Sequence, residues 1–90
     1  MNENINARLG FDARNPPDEL TRNQMKNLID LVLDHEAYSE RDGDRLVHLF
    51  SSVCKHPAGS DVIYWPKLAG FDRDLTPDEM LKVAMGEPLG

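Results

Sequence analysis

Two stretches of this chain spell the same helix-start signal. Leu20-Thr21-Arg22-Asn23-Gln24-Met25 and Leu75-Thr76-Pro77-Asp78-Glu79-Met80 each place a threonine three positions before a Gln or Glu. The threonine oxygen can accept a backbone N–H of the first turn, while the Gln or Glu side chain reaches back to the threonine's own N–H. Leu20 with Met25, and Leu75 with Met80, occupy the two positions of a hydrophobic staple across that cap. Pro77, at the first helical position, lacks an N–H where none is needed. Both signals point to helix and neither to strand.

The residues beyond the first cap agree with it. Met25, Leu28, Ile29, Val32 and Leu33 recur at helical spacing, which predicts a helix over 22–34 with one buried stripe. A second helix can be capped by Ser39 or Asp42, and its apolar positions are Leu46, Val47, Phe50, Val53 and Cys54. Pro57 disfavours α geometry just before it, so that helix should end near Lys55–His56. Gly43 in its first turns costs about 1 kcal/mol relative to Ala, which predicts a weak start. The last helix, begun at Thr76, should end by Gly86.

Between the second and last helices lies Val62-Ile63-Tyr64-Trp65, four large side chains in a row, stopped by Pro66. A lone strand would have no partner and would not be stable. Ser60 or Asp61 can cap a helix start, and only about one turn fits before the proline. One turn cannot bury four large side chains on one side. Val62 and Ile63 are the natural anchors, leaving Tyr64 and Trp65 for display. The fold class expected is all-α, with four helices of which the third is very short. Residues 1–19, polar, Asn-rich and carrying Pro16-Pro17, read as an irregular N-terminal arm with Leu9 and Phe11 docking on the core. Residues 20–90 form the four-helix domain.

Composition narrows the function. At 90 residues and 40% hydrophobic content the chain is one domain with a modest core. Sixteen acidic residues against ten basic give a net charge of −6. Direct nucleic-acid binding is disfavoured, because neutralising phosphates takes a basic patch, and an acidic domain suits a basic partner instead. The single cysteine, Cys54, excludes an internal disulfide and paired-cysteine metal sites. Its place in an apolar stripe marks it as a small buried hydrophobe. No charged-then-apolar leader opens the chain and no apolar run approaches ~20 residues, so neither export signal nor membrane span is expected. His35, His48 and His56 have no metal-ligand spacing, and no nucleotide-binding or nucleophile motif appears. No catalytic residue, metal or cofactor is expected, and the chain does not read as an enzyme.

The stretch His56-Pro57-Ala58-Gly59-Ser60-Asp61-Val62-Ile63-Tyr64-Trp65-Pro66-Lys67 resembles the signature of the colicin/pyocin nuclease immunity proteins. There the run is His-Pro-Ser-Gly-Ser-Asp-Leu-Ile-Tyr-Tyr-Pro, so Ala58, Val62 and Trp65 are mild replacements. The capped helix at Thr21, the acidic link at 34–45 and the Thr76-Pro77 start extend the resemblance over residues 20–82. Two departures stand out. The N-terminal arm is longer, and the tail from Leu81 to Gly86 lacks the family's Trp-Arg-Ala-containing end.

The resemblance implies a distorted antiparallel four-helix bundle that binds the nuclease domain, of DNase type, of a cognate bacteriocin and blocks nucleic-acid access beside its active site. Ser60, Asp61, Tyr64 and Trp65 would be the shared anchor. Asp34, Glu40, Gly43, Asp44, Val47 and Ser51 would set partner choice. It further implies a monomer when free, a 1:1 heterodimer with the toxin, and work in the bacterial cytoplasm, with export alongside the secreted toxin left open. The residues themselves leave two other readings: a helical adaptor using the Tyr64/Trp65 patch on a basic non-nuclease protein, and a metal-dependent enzyme built on the acidic 72–79 segment.

Overall fold

Helix α2 spans Arg22–Leu33 and is the hub of the molecule. The computed structural model describes residues 3–88, so the outermost positions of both 1–19 and 20–90 lie outside the described residues. Both predicted bonds of the Thr21–Gln24 capping box form, and both staple residues, Leu20 and Met25, are buried. Helix α3 covers Glu40–Val53 with Ser39 as its cap, α4 covers Asp61–Tyr64, and α5 covers Pro77–Ala84. At α5 the Thr76–Glu79 box forms in full and Leu75 and Met80 are buried. Among the described residues every regular element is a helix, and the fold is all-α.

The expectation of an irregular arm fails for part of its length. Glu3–Leu9 form a further helix, α1. Two large apolar residues in a stretch of seven are too few to announce a helix, and a helix so short is not stable alone in water. It forms because Ile5 and Leu9, one turn apart, bury themselves in the common core. Asn27 on α2 donates to the Leu9 carbonyl at the helix end, 3.3 Å, and Gly10 N–H closes onto Asn6 at 2.9 Å. Phe11 is half-buried against the same core.

Helix α2 packs against α1, α3 and α5, and α4 packs against α5. Among the described residues Phe50 of α3 is the largest fully buried side chain, and it shares one core cluster with Leu28, Ile29, Leu46, Val62 and Ala84. Full burial of side chains of this size contributes about 1.5–3 kcal/mol each. The ends of α3 and α5 are tied by the Lys55 N–H, which donates to the Ala84 carbonyl at 2.9 Å. Gly86 then turns the chain out of α5 with φ +77, as a residue just past a helix end often does. Arg22 at the start of α2 pairs with Glu87 beyond that turn.

Candidate functional site

The chain enters α4 through a turn that only glycine makes cheaply. Gly59 has φ +58 and is buried, and a Cβ there would sit 3.2 Å from the Ser51 hydroxyl. That hydroxyl in turn accepts the Ser60 N–H at 3.3 Å, fastening α4 to α3. The expected side-chain cap is absent: Ser60 has helical φ and ψ and makes no capping bond. The reason is local. The Asp61 and Val62 N–H groups already donate to Ala58 and Gly59 carbonyls, so the preceding turn satisfies the donors that a cap would serve. Asp61 is half-buried, and its carboxylate makes neither hydrogen bond nor salt bridge among the described residues.

The four large side chains divide as one turn requires. Val62 and Ile63 are 0% and 9% exposed, whereas Tyr64 is 37% and Trp65 is 63% exposed. Trp65 leaves helical geometry at φ −138 and ψ 64, and the buried Pro66 ends the helix. Partial burial pushes the Tyr64 phenol pKa above its ordinary value.

Helix α3 meets the entrance of α4 at Ser51. Gly43, Asp44, Val47 and Ser51 recur at near-helical spacing and so share one side of it; Asp44 and Ser51 are exposed, Gly43 and Val47 half-buried. Ser51 is brought directly against α4 by its bond from Ser60. Gly43 is covered by the ring of Tyr38, whose Cε2 would stand 2.8 Å from a Cβ at that position. The Tyr38 hydroxyl donates to the Val32 carbonyl. Burial first, then the neighbouring Tyr64 and Asp34, raise the Tyr38 pKa. Asp34 caps the end of α2 and its carboxylate pairs with Arg8 of α1 at 3.0 Å. Glu40 is exposed at the first position of α3, and no hydrogen bond or ion pair among the described residues ties the side chains of Glu40 or Asp44 to the rest.

Two residues escape a reading of the sequence. Tyr38, in an acidic link, covers Gly43 with its ring. Leu68 follows α4 at 76% exposure, the most exposed large apolar side chain among the described residues. A leucine outside any helical stripe, just past a proline, was the available signal. His56 serves structure: its Nδ1 accepts the Ala58 N–H at 3.1 Å, and its ring lies against Phe71. Burial raises the Cys54 thiol pKa, which suits an inert side chain. Among the described residues no three His, Cys, Asp or Glu gather as a metal site.

The chain is acidic and helical, and its shortest helix buries Val62 and Ile63 while Tyr64 and Trp65 stay exposed. The family model described as colicin immunity protein / pyocin immunity protein matches residues 18–85. The chain belongs to that family. As a colicin/pyocin immunity protein it is a bacteriocin immunity protein that binds a cognate toxin, and it is an inhibitor rather than an enzyme. The matched segment takes in α2 to α5 and leaves α1 outside. No solved structure matches the chain. Among the described residues no helix is long and apolar enough to cross a membrane.

Proposed function

We propose that this immunity protein binds the nuclease domain of its toxin, a DNase, and inhibits it by occupying the surface beside the active site, so that DNA cannot approach. The observation that carries the reading is the aromatic pair Tyr64 and Trp65, exposed on a turn whose other two large side chains are buried. Aromatic residues at an interface centre often contribute ~2 kcal/mol or more on truncation. Ser60 and Asp61 complete the anchor, Asp61 with a half-buried carboxylate that no described residue engages.

Asp34, Glu40, Gly43, Asp44, Val47 and Ser51 select the partner. Rejection of wrong partners takes neighbouring charges and shapes that mismatch them. A nuclease is basic because DNA is acidic. A net charge of −6 therefore steers the two together and competes with the nucleic acid. The free protein is a monomer, the complex is 1:1, and protection operates in the cytoplasm of the producing cell.

Mixing the protein with the nuclease domain of the toxin encoded beside it should abolish DNA cleavage at a 1:1 ratio. Full cleavage in the presence of excess immunity protein would sink the reading. Cleavage of RNA, rather than DNA, by the toxin and its inhibition would keep the mechanism and change the substrate.

A further inference from the structure

Beside the aromatic pair lies a groove of about 230 Å3, lined by Tyr64, Trp65, Pro66, Lys67, Leu68 and Asp74. The turn after α4 shapes it. Leu68 N–H donates to the Trp65 carbonyl at 2.9 Å and Phe71 N–H to the Pro66 carbonyl at 3.0 Å, while Phe71 itself turns in against His56. Phe71 is half-buried and Leu68 is not, so this turn puts one apolar side chain against the protein and the other in water. Leaving a leucine exposed forgoes the stabilisation that its burial would bring.

The charged residues lining the groove are Lys67 and Asp74. Arg73 donates to the Asp74 carbonyl at 3.3 Å, but its guanidinium is paired with the Glu79 carboxylate. Asp74 forms no salt bridge among the described residues. Lys67 is exposed and its long stem can carry its ammonium out into solvent. An aromatic ring, a leucine and a free carboxylate around one groove match a long basic side chain: its stem is apolar, and its cation is attracted both by the ring face and by the acid.

We infer that this groove receives an arginine or lysine side chain of the toxin, its stem between Trp65 and Leu68 and its cation at Asp74, so that Leu68 and Asp74 extend the docking surface beyond the anchor. The inference rests on the toxin-nuclease reading above and adds two residues to it.

Calorimetric titration of the toxin nuclease domain into the wild-type protein and into Leu68→Ala, Asp74→Asn, the double variant and Trp65→Ala tests it. Leu68→Ala should weaken binding about tenfold, the factor that 1.4 kcal/mol represents. Asp74→Asn should weaken it about threefold at low salt, with the loss shrinking at high salt as an exposed charge pair is screened. The double variant should lose less than the product of the two, because both residues hold one side chain. All these side chains are exposed, so melting temperatures should stay at the wild-type value. Wild-type affinity for Leu68→Ala or Asp74→Asn, with Trp65→Ala weakened, overturns the groove and leaves the anchor standing. No binding by the wild-type protein overturns both.

Discussion

Helices α4 and α5 touch each other and are built on opposite principles. Helix α5 carries its own instructions: a complete capping box, a proline at its first position, a staple, and a stripe of Met80, Leu81, Val83 and Ala84 that is buried throughout. Helix α4 has four residues, no side-chain cap, and two aromatic side chains at its end left in water. It persists because Gly59 permits the turn before it, Ser51 holds the Ser60 N–H at its entrance, and Val62 and Ile63 sink into the core. A segment whose local interactions suffice can hide everything apolar. One that displays its apolar residues must be held from outside.

Core truncation should show the largest effect and should not distinguish the two helices. Ile63→Ala in α4 and Met80→Ala in α5 are each expected to lower stability by about 2–4 kcal/mol in urea unfolding. A loss under about 1 kcal/mol for Ile63→Ala, well below the usual cost of such a truncation, would mean that α4 is not anchored through that side chain. The display side separates them. Trp65→Ala should change stability by less than about 0.5 kcal/mol, and Tyr64→Ala, which removes a partly buried ring, by less than Ile63→Ala does. Each should weaken toxin binding by about 2 kcal/mol, chiefly through faster dissociation. Stopped-flow dissociation together with urea unfolding reads both. Lost stability at unchanged affinity would return the aromatic pair to the core.

Caps give a smaller and sharper contrast. Thr76→Ala removes a side-chain acceptor and should cost about 1 kcal/mol, whereas Ser60→Ala, where no capping bond exists, should leave stability within about 0.5 kcal/mol. Equal losses in the two variants would contradict the satisfied turn before α4. The smallest effect concerns pH. Glu79 has its carboxyl pulled down from 4.5 to about 2, first by the hydrogen bond from Arg73 and then by the Thr76 N–H. A group lowered in the folded chain adds stability that is present above its unfolded pKa and is lost as pH falls through the folded one. The gap in melting temperature between wild type and Glu79→Gln should therefore narrow as pH drops from about 5 to about 2. A constant gap across that window would mean that the charge on Glu79 does not help hold the start of α5.

Most of the helical framework was readable because its signals are local. The two capping boxes, the staples and the stripe from Met25 to Val32 are decided within a turn or two, and α2, α3 and α5 fall within two residues or so of where spacing placed them. Helix α1 was not readable, since Ile5 and Leu9 become a helix face only against α2. The same limit governs the surface. The split between Val62–Ile63 and Tyr64–Trp65 follows from the geometry of one turn, but the exposure of Leu68 and the stacking of Tyr38 on Gly43 depend on how separate chain segments meet. Asp34 was visible as a helix-end acid, whereas its pairing with Arg8 needed the arm to fold back.

That arm has a consequence for how this molecule could be cut or shared. Ile5 and Leu9 precede the family segment and Glu87 comes after it, yet all three close on α2 or on the core it organises. A fragment trimmed to residues 18–85 would keep the helices that match the family model and leave an uncovered greasy strip where α1 had been. Grafting or swapping within the family should therefore treat residues 3–9 as part of the piece that travels.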